Sequence, residues 1–224
     1  MLYILDTADL DAIKHCNEFY PLAGVTTNPS IIVKEKADFW THIKAIRDII
    51  GPEKMLHVQI VQTEAAKMVE EAKLICEKIG GKTYIKIPIC EEGLKATMEL
   101  KKLGIGVTMT AIFTPQQALI SAMAGASFVA PYVNRLDNIL GDGSDVAAQI
   151  VNLFNIYKLD CKVLVASFKN AEQVHKCALA GCDIVTVSDD ILRALIDHPM
   201  TGAAIAGFDK DWESVYGDKT ILDF

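Results

Sequence analysis

Eight short apolar segments rich in β-branched residues recur along the 224-residue chain. They lie around Tyr3–Leu5, Gly24–Thr26, Leu56–Ile60, Thr83–Ile87, Val107–Ile112, Phe128–Val133, Lys162–Ala166 and Asp183–Val187. Each segment is almost continuously apolar, which is typical of parallel strands that are buried on both faces. The segments therefore predict a parallel sheet of eight strands.

Amphipathic stretches separate these segments and carry apolar residues at helical spacing on one face. We predict helices over Ala65–Ile79, Glu92–Leu103, Pro115–Ala124, Asp145–Ile156, Ala171–Ala180 and Asp190–Ile196, with Thr63 as the cap of the first. Eight alternating units in 224 residues predict an α/β fold, a (β/α)₈ TIM barrel that forms one domain over residues 1–224. An open doubly wound sheet is the alternative.

A further helical segment, at about residues 201–217, follows the eighth unit. Its apolar face carries Ile205, Phe208 and Trp212. The barrel is already closed at this point, so this extra C-terminal helix must either cover a barrel end or pack on a neighbouring subunit. Two large aromatic side chains on one face favour packing in a homo-oligomer.

Charge and residue usage exclude several classes of protein. The net charge is −7 with scattered basic residues, whereas a nucleic-acid surface needs a basic stripe, so we expect no nucleic acid. Residues 103–134 carry no charge, but Pro115 and Pro131 divide this run, so we interpret it as barrel interior and expect no membrane. The six cysteines form no CxxC pair and the five histidines no HExxH motif. We therefore expect no metal, and reduced thiols in a cytoplasmic protein.

Lys86 lies within one of the predicted strands, in the apolar segment Thr83–Pro88. Burial removes the hydration of an ammonium group, which lowers its pKa and favours a neutral amine that can attack a carbonyl. The alternative is a structural lysine paired with a carboxylate. We favour the nucleophile because strongly perturbed lysines are often functional.

Polar residues lie at or just after the C-terminal ends of six other predicted strands, where TIM barrels place their active sites. They comprise a carboxylate, amides, hydroxyls and a guanidinium: Asp6, Thr26, Asn28, Gln59, Thr110, Tyr132, Asn134, Arg135 and Ser167. Together with Lys86, this set suits a polyhydroxylated carbonyl compound with an anionic tail. Taken singly, Asp6 could cap the first helix, Asn28 could form a turn, Arg135 could form a surface ion pair and Ser167 could be a loop hydroxyl.

Five motifs spread over the chain resemble those of the transaldolase family, and especially of its short branch, which contains fructose-6-phosphate aldolase. They are Leu5-Asp6-Thr7-Ala8-Asp9, Gly24-Val25-Thr26-Thr27-Asn28-Pro29-Ser30, Ile85-Lys86-Ile87-Pro88, Ala130-Pro131-Tyr132-Val133-Asn134-Arg135 and Ala166-Ser167-Phe168-Lys169. The Thr-Thr-Asn-Pro-Ser motif is highly specific.

The resemblance implies a catalytic role for several of these residues. Lys86 matches the lysine that forms a Schiff base with the ketose carbonyl, so the chemistry needs no cofactor or metal. Asp6 would transfer the proton of the hydroxyl whose carbon–carbon bond breaks. Gln59 and Thr110 would hold the water used in forming and hydrolysing the imine.

The resemblance also implies how small sugar phosphates bind. Asn28 would hydrogen-bond the dihydroxyacetone unit, while Arg135 and Ser167 would take the phosphate, a pairing that suits a guanidinium. We include Thr26 and Asn134 among the candidate binding residues. The short-branch relatives form decamers, so the resemblance also implies a homo-oligomer.

Gln59 and Tyr132 bear on which of the family's two activities this chain has. Transaldolases carry Glu and typically Phe at these positions; a Gln can only orient water, and the phenol of Tyr132 can donate a proton to the bound carbanion. Both differences favour a class I aldolase that cleaves or forms fructose 6-phosphate. The alternatives are a transaldolase that transfers the dihydroxyacetone unit to erythrose 4-phosphate and, more distantly, an isomerase or a barrel that only binds sugar phosphates.

Overall fold

Eight parallel strands close into a barrel in the computed structural model, which describes residues 1–224. The strands are β1 Leu2–Asp6, β2 Leu22–Thr26, β3 Met55–Gln59, β4 Thr83–Pro88, β5 Val107–Ile112, β6 Phe128–Pro131, β7 Lys162–Val165 and β8 Ile184–Val187. They follow one another around the barrel in chain order, and β8 pairs with β1. This closure confirms the predicted (β/α)₈ TIM barrel and excludes the open doubly wound sheet.

Helices connect the strands and surround the barrel. They are α1 Leu10–Phe19, α2 Pro29–Ile32, α3 Phe39–Ile50, α4 Ala65–Ile79, α5 Glu91–Lys102, α6 Pro115–Met123, α7 Val133–Asp137, α8 Gly143–Tyr157, α9 Ala171–Leu179, α10 Asp189–Ala194 and α11 Pro199–Tyr216. Short 3₁₀ turns occupy Val33–Glu35 and Ile221–Asp223. The predicted helices match α4, α5, α6, α8, α9 and α10 closely, whereas α1, α2, α3 and α7 lie outside the predicted stretches.

The predicted cap of α4 is wrong. The residue at the N-cap position is Glu64, not Thr63, and Glu64 forms no capping hydrogen bond with its side chain. Instead the backbone N–H of Ala65 donates to the carboxylate of Glu92, which comes from α5, at 2.7 Å. The cap is therefore tertiary, and it also places a negative charge at the helix N-terminus, where the helix dipole favours it.

Side chains alternate across the barrel wall and form two separate apolar clusters. Outward-facing strand residues pack under the helices in one cluster of 42 buried residues. A smaller cluster, formed by Ile4, Phe128, Ala130, Leu164 and Ile184, fills the barrel interior. These five residues precede the polar residues at the C-terminal ends of their strands, and the buried polar pair His57 and Thr108 lies among the interior residues.

The C-terminal helix α11 begins two residues earlier than predicted, because His198 caps it and Pro199 occupies its first turn, a position that suits proline. All of its residues are exposed, including Phe208 at 70%. The helix therefore does not bury its apolar face on a barrel end, which removes one of the two predicted roles. As for membranes, the structure contains no helix with both the length and the apolar composition needed to cross one.

Candidate active site

Lys86 lies inside the barrel on β4 and is only 6% exposed. Its amine donates a hydrogen bond to the backbone carbonyl of Thr27, at the end of β2, at 2.7 Å. The partner is therefore a neutral carbonyl and not the carboxylate that a structural ion pair would require. Burial lowers the pKa of the Lys86 amine below its ordinary value of 10.5, and the charge of Asp6 opposes this shift. Burial therefore favours a neutral amine, and the contact with Thr27 holds that amine in one direction.

Asp6 is anchored by a chain of two hydroxyl groups. Thr26 Oγ1 lies 2.6 Å from Asp6 Oδ1 and 2.6 Å from Thr186 Oγ1. A carboxylate only accepts, so Thr26 must donate its single proton to Asp6, and Thr186 must then donate to Thr26. The two threonines are fully buried or nearly so, which leaves them no water as a competing partner. The chain fixes one oxygen of Asp6, and the other oxygen makes no hydrogen bond within the protein.

A second polar pair lies at the ends of β5 and β6. The hydroxyls of Thr110 and Tyr132 are 3.0 Å apart, and either atom could be the donor. An irregularity in the β5–β6 pairing lies between Met109 and Ile112, where Ala111 takes a positive φ of 57°. Such bulges re-aim neighbouring side chains and are common beside active sites. Thr110 lies within this irregular segment, next to Ala111.

Gln59 and Asn28 lie on the same side of the barrel as Lys86. Gln59 ends β3 in register with Lys86, and its side-chain amide has no hydrogen-bond partner in the protein. Asn28 caps α2 through its side-chain oxygen, so its NH₂ group stays available. Asn28 therefore caps the helix through its carbonyl oxygen, while its NH₂ group can still bind a ligand. A cavity of about 400 Å³ is lined by Asn28, Gln59 and neighbouring residues of the β2–α3 connection.

Arg135 and Ser167 follow β6 and β7. The Arg135 guanidinium lies over the ring of Tyr132, 4.9 Å from its centroid, and forms no ion pair with a carboxylate. Ser167 has a positive φ of 66°, a conformation that costs a residue with a side chain roughly 1 kcal/mol or more. Its carbonyl accepts the backbone N–H of Asn134 at 2.7 Å. This bond joins α7, which carries Asn134 and Arg135, to the β7–α9 loop, which carries Ser167.

A buried histidine lies beneath Lys86. His57 is on β3, and its Nδ1 lies 2.8 Å from the hydroxyl of Thr108, which is in register with Lys86 on the neighbouring strand. Its ring stacks on Tyr84 at 5.0 Å and meets the edge of Phe128 at 5.2 Å. Burial, and to a lesser extent the charge of Lys86, lowers the pKa of His57 to about 3. The imidazole is therefore neutral at physiological pH and adds no positive charge below Lys86.

Three residues that the sequence did not single out support the site from behind: Thr186, His57 and Gln173. Thr186 and His57 interrupt the otherwise apolar strands β8 and β3, a signal comparable to the one that marks Lys86. Thr27 contacts Lys86 through its backbone carbonyl, which no side chain reveals. Gln173 lies on α9 and bonds Asn134 and Asp137, a contact that depends on the tertiary fold.

The arrangement combines a buried amine, an anchored carboxylate, several hydroxyls and a cationic end. No group of three or more His, Cys, Asp or Glu side chains is arranged to hold a metal ion. Chemically, such a set can form an imine with a carbonyl compound and can move protons on its hydroxyl groups. It can also bind an anionic group through Arg135.

Comparisons with known proteins bear on the family and the fold of the chain. The family model described as "Transaldolase/Fructose-6-phosphate aldolase" matches residues 3–219. A solved structure described as "Native KDPGal structure" superimposes with a TM-score of 0.59 and 18% sequence identity, over 95% of this chain and 94% of that chain. At this identity, the structural likeness supports the barrel fold alone.

Proposed function

Because the chain belongs to the transaldolase/fructose-6-phosphate aldolase family, we propose that it is a class I aldolase. It cleaves fructose 6-phosphate into dihydroxyacetone and glyceraldehyde 3-phosphate and forms it in the reverse direction. The observation that carries the proposal is the buried Lys86 amine, which is bonded to the carbonyl of Thr27 and not to a carboxylate. An amine in that setting is a nucleophile for a ketose carbonyl.

The first step forms the imine. The neutral amine of Lys86 attacks C2 of the ketose, and the resulting carbinolamine takes up one proton from solvent and loses water, which gives a protonated imine. Gln59, level with Lys86 on the neighbouring strand, and Thr110 orient this water. His57 stays neutral because burial lowers its pKa to about 3, so the positive charge of the iminium meets no second cation from below. The iminium polarises the substrate, so the proposed reaction requires no metal and no cofactor.

The second step breaks the C3–C4 bond. Asp6 removes the proton of the C4 hydroxyl, the C4 oxygen becomes the carbonyl of glyceraldehyde 3-phosphate, and the electron pair of the broken bond moves into the iminium. A three-carbon enamine remains on Lys86. The Thr26–Thr186 chain holds the carboxylate of Asp6 by one oxygen and leaves the other for the substrate. Such a fixed base raises the rate because it needs no reorientation.

The fate of the enamine separates the two activities of the family. Protonation at C3 followed by hydrolysis releases dihydroxyacetone, whereas capture by erythrose 4-phosphate transfers the unit. Tyr132, whose hydroxyl lies 3.0 Å from that of Thr110, is the proton donor in our proposal. Gln59 orients the hydrolytic water without acting as an acid or base. Both side chains favour hydrolysis, and transaldolase activity is the second candidate.

The phosphate binds between Arg135 and Ser167, and Asn28 binds the dihydroxyacetone unit. Arg135 supports this role because its guanidinium forms no ion pair with a carboxylate of the chain. We further propose a cytoplasmic homo-oligomer. All six cysteines are free thiols, in keeping with a reducing compartment, and the apolar face of α11 is exposed.

The test follows glyceraldehyde 3-phosphate after fructose 6-phosphate is added, with and without erythrose 4-phosphate. We expect sustained release without the acceptor, and its loss in Lys86→Ala. Release only with the acceptor would identify a transaldolase. No release under either condition would contradict both and leave a barrel that only binds sugar phosphates.

A further inference from the structure

A single buried glutamine joins the loops that follow β6 and β7. Gln173, in the first turn of α9, is only 8% exposed. Its Oε1 accepts the backbone N–H of Lys169 at 2.8 Å. Its Nε2 donates to Asp137 Oδ2 at 2.6 Å and to Asn134 Oδ1 at 3.3 Å. The side chain therefore connects α7 to the β7–α9 loop, the two segments that carry Asn134, Arg135 and Ser167.

One backbone group determines the direction of every hydrogen bond in this network. The N–H of Lys169 can only donate, so the atom of Gln173 that faces it must be the carbonyl oxygen. The NH₂ group of Gln173 then faces Asp137 and Asn134. Asp137 accepts on its other oxygen as well, from the N–H of Gly143 at 2.8 Å, and thus acts only as an acceptor.

Asn134 consequently has only one orientation. It must present its carbonyl oxygen to the NH₂ group of Gln173, which turns its own NH₂ group away from Gln173. That NH₂ group donates to no atom of the protein, although the residue is half-buried. The backbone of Asn134 is bonded to Ser167, and Arg135 is the next residue in the chain. An oriented neutral donor thus adjoins the residues proposed to bind phosphate.

We propose that Gln173 is a positioning residue that makes Asn134 a hydrogen-bond donor to the phosphorylated end of the substrate. The proposal rests on the proposed function, because it assigns the anionic end of the substrate to this corner of the site. Without Gln173, the amide of Asn134 is free to turn and present its oxygen, which repels phosphate oxygens. Gln173 therefore affects the affinity for phosphorylated aldehydes and leaves the chemistry at Lys86 unchanged.

The first test measures aldol addition of dihydroxyacetone to glyceraldehyde 3-phosphate and to unphosphorylated glyceraldehyde. Gln173→Met keeps the volume of the side chain and removes its hydrogen bonds. We expect the KM for glyceraldehyde 3-phosphate to rise about tenfold, because the variant loses one oriented hydrogen-bond donor to an anion. The KM for glyceraldehyde and kcat should change less than about twofold. Gln149→Met is the matched control, because Gln149 also donates to an aspartate, Asp145, but on the exposed face of α8.

A double-mutant cycle separates positioning from general structural support. Asn134→Ala alone should raise the same KM by a similar factor, and adding Gln173→Met should then have no further effect. Additive effects of the two changes, or an equal loss for both aldehydes, would overturn the proposal. An unchanged KM for glyceraldehyde 3-phosphate in Asn134→Ala would also overturn the proposal, and this result does not depend on whether Gln173→Met folds. If the wild-type protein adds dihydroxyacetone to neither aldehyde, the result would instead contradict the proposed function itself.

Discussion

At the residue scale, the surroundings of Lys86 explain how a lysine can be neutral in a barrel interior. Its amine is buried and donates to one carbonyl, that of Thr27, and to no carboxylate. The charge of Asp6 favours the ammonium, whereas burial favours the amine and is the larger effect. The protein therefore loses folding stability at this position in return for a reactive group, as is common in active sites.

This loss predicts a pH-dependent gain in stability for Lys86→Met. The folded-state pKa lies below the ordinary value of 10.5, so the unfolded chain binds more protons between these two values. The free energy of unfolding of the wild type therefore falls as the pH falls from 10.5 to the folded-state pKa, and it is constant below that. Lys86→Met should be more stable by roughly 1 kcal/mol at pH 7. Denaturant titrations should show this advantage shrinking towards pH 10.5.

The exposed Lys73 on α4 provides a matched control. Lys73→Met makes the same substitution at a solvated position and measures the general effect of replacing a lysine by methionine. An advantage of Lys86→Met that stays constant up to pH 10.5 would contradict a lowered pKa for Lys86.

At the element scale, loops and caps are held by contacts between elements that are distant in the chain. Glu92 of α5 caps α4, Gln173 of α9 joins two loops, and the carbonyl of Thr27 after β2 holds Lys86 of β4. The strands and seven of the eleven helices were predictable because apolar periodicity is local in the sequence, whereas α1, α2, α3 and α7 were not predicted. The contacts between elements were not, since an exposed glutamine or glutamate has the same sequence signature as one that bridges two elements.

The cap of α4 gives a prediction at this scale. Glu92→Ala removes the only side-chain partner of the Ala65 N–H, so we expect a loss of about 1 kcal/mol. For a chain of this length, that corresponds to a fall in Tm of about 2–4 °C. Glu91→Ala is the control, because Glu91 is exposed and makes no hydrogen bond with its side chain. Equal melting temperatures for the two variants would contradict the tertiary cap.

At the scale of the whole molecule, the closed barrel brings to one end the polar residues that the sequence distributes over seven strands. The ten candidate site residues named from the sequence lie at or near the C-terminal ends of their strands. Their location was predictable from the fold class, because parallel strands end on the same side. The orientation of each group was not predictable, since it depends on partners such as Thr186 and Gln173.

Helix α11 lies outside this arrangement and gives a prediction about assembly. Phe208 is 70% exposed and Trp212 shares its face, an unfavourable exposure that packing against another copy would remove. We expect the wild type to sediment as an oligomer and Phe208→Glu to shift it towards smaller species. Lys210→Glu, on the same exposed helix, should leave the distribution unchanged. A wild type that sediments as a monomer at all concentrations would contradict the predicted homo-oligomer.

The central claim is that Lys86 forms the covalent intermediate, and reductive trapping tests it most directly. The protein is incubated with dihydroxyacetone and sodium borohydride, digested, and analysed by mass spectrometry. The account predicts a reduced three-carbon adduct on the peptide that contains Lys86 and no adduct in Lys86→Met. An unmodified Lys86, or an adduct on another lysine that persists in Lys86→Met, would contradict it.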